Sequence, residues 1–160
     1  MTFNIENINR AGDYFLQNKK TIAVAESVTA GNIQAALSLA ENASMFFQGG
    51  ITTYNLGHKC RHLNIDPIHA LQCNCVSEII ADQMARKVCE LFLADYGIGI
   101  TGFASLAPDE NINELYAFTS IALNGKIVSS QRIEAKKLMA HEVQIFYANE
   151  TIRMLNNVLF

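Results

Sequence analysis

In TIAVAESVTAG (21–31) an apolar, β-branched run gives way to small and polar residues. TIAVA (21–25) has the composition of a strand covered on both faces, and the spacing beyond it predicts a helix over Thr29–Leu39 with Ala35, Ala36, Leu39 and Ala40 inward. Upstream, Ile5, Ile8, Phe15 and Leu16 recur at helical spacing and stop near Asn18-Lys19-Lys20, charges that suit a helix C-terminus. Downstream, GGITTY (49–54) is a second strand, followed by a short helical stretch over His58–Leu63 and a turn or helix start at Asp66-Pro67. Ser77 has the place of an N-cap, with Ile79, Ile80, Met84, Val88, Leu91 and Phe92 following at a period of about 3.6. YGIGIT (96–101) is a third strand, running into a polar loop over residues 103–113. LYAFTSIAL and KIVSSQRIE flank Asn124-Gly125, a type I′ hairpin signal, and Met139–Phe160 closes with Val143, Phe146, Ile152, Leu155 and Leu159 on one helical face.

Strand–helix alternation requires parallel strands with crossover helices, whereas the Asn-Gly hairpin requires antiparallel pairing near the end. The expected fold is α/β: a three-layer α/β/α sandwich with a mixed, mostly parallel sheet and a C-terminal antiparallel hairpin. No linker, repeat or low-complexity tract divides the 160 residues, so one domain over 1–160 is expected. Half of the residues are apolar and 17% are charged, which excludes a disordered chain. With 12 Lys and Arg against 15 Asp and Glu, the net charge of −3 argues against a nucleic-acid surface. No apolar stretch is long enough for a membrane span and the first residues lack a signal-peptide core, so a cytoplasmic location is expected. Cys60, Cys73, Cys75 and Cys89 offer no C-x-x-C pair, so neither a disulfide framework nor a metal site is expected.

Ligands of open α/β sheets bind beyond the carboxyl ends of strands, which directs attention to three segments. In AESVTAG (25–31), Ser27 lies where free N–H groups at a helix start would stabilise an oxyanion, although an N-cap is the plainer role. Glu26 beside it would orient a ligand or close a cap. In the segment around Thr52-Thr53-Tyr54, Lys59 is a candidate base for Ser27, His58 a rival base and Tyr54 a relay or orienting donor. In ITGFASLAPDE (100–110), Thr101 offers a hydroxyl, and Gly102 lets backbone approach a ligand.

Taken in order, AESVTAG (25–31), GGITTYNLGHK (49–59), CVSE (75–78) and TGFASL (101–106) resemble four motifs of the CinA C-terminal domain family, whose enzyme members are nicotinamide-mononucleotide deamidases. The resemblance implies Ser27 as nucleophile, Lys59 as general base and Tyr54 as a supporting residue. It implies substrate binding by Glu26, Thr29, Gly31, Thr101 and Gly102, with no cofactor and no metal. It further implies a small-molecule nucleotide or amide substrate and a homo-oligomer, a dimer or higher; charge and hydropathy already lead to the expectation of no nucleic-acid and no membrane partner. The departures cluster where a ligand is held. Val28 and Ala30 replace the family's Cys and Gly, SLAPDENINE (105–114) replaces its glycine-rich stretch, and EAKKLMAHE (134–142) replaces its arginine-bearing segment. Two readings follow: an amidohydrolase of the deamidase type, with an altered substrate as one form of it, or a catalytically degenerate domain serving as a ligand-binding or structural oligomer.

Overall fold

The computed structural model describes residues 1–160. Five strands, β1 (Ile22–Glu26), β2 (Phe47–Thr52), β3 (Tyr96–Gly102), β4 (Tyr116–Leu123) and β5 (Lys126–Glu134), form one sheet in the order β2-β1-β3-β4-β5. β1 pairs in parallel with both β2 and β3, while β3–β4 and β4–β5 are antiparallel. The sheet is therefore mixed, with four strands running one way and β4 alone reversed. The hairpin turn falls on Asn124 and Gly125, both at positive φ (49° and 74°), as a type I′ turn demands.

Six helices flank the sheet: α1 (Ile5–Asn18), α2 (Asn32–Ser38), α3 (Leu56–Leu63), α4 (Pro67–Gln72), α5 (Glu78–Phe92) and α6 (Ala140–Leu159). Alternation along β1 splits the core. Ile22 and Val24 join the larger cluster with α1, α2 and α6, whereas Ala23 and Ala25 join a second cluster with Leu63, Ala70, Ile80, Met84 and Val88 from α3, α4 and α5. Those two clusters make the three layers. Expected caps are in place: Asp66 accepts from the Ile68 N–H at 3.0 Å with Pro67 opening α4, and Ser77 accepts from the Ile80 N–H at 3.2 Å. No helix is long and apolar enough to cross a membrane.

Four helical faces differ from the expectation. In α2, which begins at Asn32 and not at Thr29, Ile33, Ala36, Leu37 and Ala40 are buried while Ala35 and Leu39 are exposed. In α5, Ile79 and Leu91 point outward, and the small residues Ala81, Ala85 and Cys89 face the sheet because β3 meets them with Gly97 and Gly99. In α1, Ile5 is exposed while Ile8 and Phe15 carry the buried stripe. In α6, Tyr147 is fully buried beside a half-buried Phe146, and its hydroxyl donates to the Phe103 carbonyl at 3.0 Å. That bond ties α6 to the loop leaving β3.

Candidate functional site

The carboxyl ends of β1, β2 and β3 open into a cleft of about 570 Å³, within the range of small-molecule sites. Ser27 is the first residue beyond β1, and its N–H continues the pairing with β3 by donating to the Ile100 carbonyl at 3.1 Å. Beside it, the Thr53 N–H donates to the Glu26 carbonyl at 2.9 Å, which carries the β1–β2 ladder one residue past Thr52. Two strand ends are thereby locked together, with the Ser27 hydroxyl and the Thr53 carbonyl side by side.

Lys59 reaches that spot from the first turns of α3. The Asn55 side chain starts the helix by accepting from the His58 N–H at 3.0 Å, which fixes where position 59 points. Lys59 Nζ donates to Ser27 Oγ at 2.8 Å and to the Thr53 carbonyl at 2.7 Å. Both residues are buried, Ser27 at 7% exposure and Lys59 at 1%. Burial pushes the Lys59 ammonium below its ordinary pKa, because no carboxylate accompanies it; an ionised Cys75 thiolate would act the other way. Burial in turn raises the Cys75 thiol, which lines the same cleft, so it is held protonated and is a poor rival nucleophile.

The remaining residues named from the sequence divide. His58 is exposed and stacks on His62 with ring centroids 5.6 Å apart, away from the cleft wall, which leaves Lys59 as the base candidate. Tyr54, expected as a relay or orienting donor, lines the cleft but is 71% exposed and makes no hydrogen bond to Ser27 or Lys59, so only those two side chains meet. Thr101 is buried, its hydroxyl donating to the Cys75 carbonyl at 2.7 Å, and so it holds the segment before α5 in place. Gly102 lines the cleft, yet its missing side chain is required by β4: a Cβ there would lie 2.6 Å from Ala117 Cα. Phe103 lines the cleft without closing it, and Leu106 lies in a separate hollow.

Glu26 and the start of α2 differ most from expectation. The turn over Ser27–Gly31 includes Ala30 and Gly31 at positive φ (50° and 98°), which delays α2 until Asn32. The fully buried Glu26 carboxylate then occupies the helix start, accepting from Gly31 (3.1 Å), Ile33 (3.0 Å) and Gln34 (2.8 Å) N–H groups. An anionic cap at a helix N-terminus is electrostatically favoured, so Glu26 and Gly31 build the turn from within. The Thr29 hydroxyl is fully buried and has no partner. Donors for an oxyanion must therefore come from elsewhere. In this turn the Ala30 N–H goes to the Ser27 carbonyl and the Asn32 N–H to the Thr29 carbonyl, leaving the Val28 and Thr29 N–H groups without an acceptor. Glu26→Ala is expected to destabilise the chain by about 3 kcal/mol or more, since three N–H groups lose a charged acceptor, and Glu26→Gln by less; urea unfolding measures both.

Sequence reasoning missed the Thr53 carbonyl and Cys75. Neither has a sequence signal of its own, because a backbone acceptor can be any residue and Cys75 enters the cleft through two consecutive left-handed residues, Asn74 and Cys75 (φ 49° and 59°).

A family model for the CinA C-terminal domain matches residues 6–159. A competence-damage inducible protein of Streptococcus agalactiae is 43% identical over 95 residues, 59% of this chain and 22% of that one. A CinA-like protein of Picosynechococcus is 36% identical over 100 residues, 62% of this chain and 24% of its own length. The chain thus matches about a quarter of the length of these curated relatives. Among solved structures, a CinA superfamily protein of Klebsiella pneumoniae superposes with a TM-score of 0.89 at 22% identity, covering 96% of both chains. A competence or damage-inducible protein of Enterobacter asburiae superposes with 0.91 at 20% identity over the whole of both. With its fold matched by those structures and its sequence matched by the family model from the first helix to the last, the chain belongs to the CinA C-terminal domain family.

Proposed function

We propose that this chain is an amidohydrolase of the nicotinamide-mononucleotide deamidase type, converting a small-molecule carboxamide to an acid and ammonia. The observation that carries the reading is the 2.8 Å contact between Ser27 Oγ and Lys59 Nζ inside a cleft, with burial favouring the neutral amine. A serine hydroxyl needs a neighbouring base, and a lysine serves once desolvation has made its unprotonated form accessible.

In the forward step neutral Lys59 takes the Ser27 proton while Oγ bonds to the carboxamide carbon. Charge develops on the carbonyl oxygen, for which the unclaimed N–H of Val28, the residue after the nucleophile, is the candidate donor. Collapse breaks the C–N bond, and ammonia leaves with the proton that Lys59 had taken. Water then gives a proton to Lys59 and its oxygen to the acyl carbon; Ser27 recovers its proton as the acid departs. The balance closes with water as the only co-reactant. Tyr54, at the mouth, is assigned to substrate contact and not to proton transfer. A single 1–160 domain, assembled as a homodimer in the cytoplasm and without a nucleic-acid or membrane partner, completes the reading.

The test is ammonia release from nicotinamide mononucleotide and from simpler carboxamides, beside Ser27→Ala. Release by the native chain that falls to background in the variant is the expected result. Equal release by both would eliminate Ser27 as nucleophile, and release by neither would leave an altered substrate or a catalytically degenerate, ligand-binding or structural oligomer, which a wider panel of amides separates.

A further inference from the structure

Only two formally charged side chains line the cleft, Lys59 and Glu110. Lys59 is 1% exposed and already engaged by Ser27 and the Thr53 carbonyl, so it is not free to pair with the distal end of a ligand. Glu110, in the short turn Pro108–Glu110, is exposed and presents the other charge. No arginine lines the cleft, and Arg132, whose fork would suit a phosphate, is committed elsewhere. Its guanidinium pairs with Glu114 at 3.0 Å and with Glu134, lies 4.3 Å from the Tyr116 ring centroid, and lines a separate hollow with Lys137. A phosphate entering the Ser27 cleft would lose water without meeting a free cation, and would face a carboxylate. Neutral polar groups are available instead: Asn74, Gln144 and the amide N–H groups of Asn55, whose oxygen caps α3, line the cleft and suit hydroxyl or amide partners.

We infer that the ligand of this cleft is a carboxamide without a phosphate, whose end remote from the amide is neutral or cationic and turns toward Glu110. The carboxamide end rests on the hydrolase reading; the charge at the other end rests on the residues of the cleft. This deepens the proposed function by excluding the phosphorylated form as the preferred substrate.

Nicotinamide riboside and nicotinamide mononucleotide are suitable probes, because both carry a pyridinium and a ribose and they differ by one phosphate. Ammonia release from each gives kcat/KM, and titration calorimetry against Ser27→Ala gives binding without turnover. The riboside is expected to exceed the mononucleotide by about 10-fold or more in both measurements, a preference of about 1.4 kcal/mol. Glu110→Gln should bring the ratio toward unity, Glu110→Lys should reverse it, and added salt should shrink it because Glu110 is exposed. A mononucleotide turned over or bound as well as the riboside would overturn the inference, as would failure of Ser27→Ala to bind either. Binding of the riboside alone, with no ammonia released by the native chain, would uphold the inference about charge and remove the hydrolase reading instead.

Discussion

Lys59→Met is expected to lower carboxamide hydrolysis by about 10³-fold while leaving the circular dichroism of the folded chain unchanged. Methionine matches the length of the lysine stem but cannot take a proton, so Ser27 keeps its hydroxyl hydrogen and the attack on the carbonyl is lost. Lys59→Arg should fail equally, because a guanidinium retains its charge. The pH profile separates this account from a merely structural role for Lys59. Burial lowers the folded pKa, so kcat/KM in the native chain should rise with pH as the ammonium is lost, with its midpoint below 10.5, and level off above that midpoint. Stability has the same sign. Between the lowered folded value and the unfolded value near 10.5, the unfolded chain holds the extra proton, so raising the pH favours the fold. Below that window the full cost of burying the ammonium is present. Comparing urea unfolding of the native chain with Lys59→Met at about pH 7 and about pH 10 should therefore move the difference in the native chain's favour as pH rises. A difference that stays constant would mean that Lys59 is not titrating in the buried state described here.

The strands and most helices were legible because their signals are local. A β-branched apolar run at 21–25, an Asn-Gly turn at 124–125 and Asp66-Pro67 each act through the backbone of their own few residues. What depended on distant partners was hidden. The start of α2 is set by the Glu26 carboxylate reaching to positions 31, 33 and 34 across a turn containing two positive-φ residues, so helical spacing alone placed it at Thr29. The inward face of α5 is chosen by the glycines of β3, which admit Ala81, Ala85 and Cys89 and leave Ile79 and Leu91 outside. For the site, resemblance to known motifs singled out Ser27 and Lys59 together, 32 positions apart, and their side chains meet. It also carried over Tyr54, Glu26, Thr101 and Gly102, and there the packing assigns the cleft rim, a helix cap, a loop tether and a close strand contact. A motif records which residues occur together; only the folded chain separates those whose side chains meet in the cleft from those that hold its walls.

Gly99→Val is expected to be the most damaging single change in the sheet, costing about 3 kcal/mol or more, with loss of the folded chain at physiological temperature as the practical result. β3 lies between β1 and β4, and in YGIGITG its isoleucines and glycines alternate. Ile98 and Ile100 enter the larger core, which puts Gly97 and Gly99 on the face beneath α5. A Cβ on Gly99 would overlap the Ala81 carbonyl oxygen and stand 2.8 Å from Met84 Cβ; one on Gly97 would stand 2.6 Å from Cys89 Sγ. The first of these obstacles is helix backbone, which cannot rotate aside as a side chain can, so α5 would have to lift from the sheet along its length. Lifting it would open the smaller core and disturb Cys75–Thr101, the contact that joins the segment before α5 to the floor of the cleft. Gly57→Ala is the matched control: it sits in the first turn of α3 with ordinary φ and its nearest neighbour is 3.6 Å away, so it should be neutral or slightly stabilising. Thermal unfolding of the two variants reads the contrast directly. If Gly99→Val melted within a few degrees of the native chain, α5 could not be packed on β3 as closely as described.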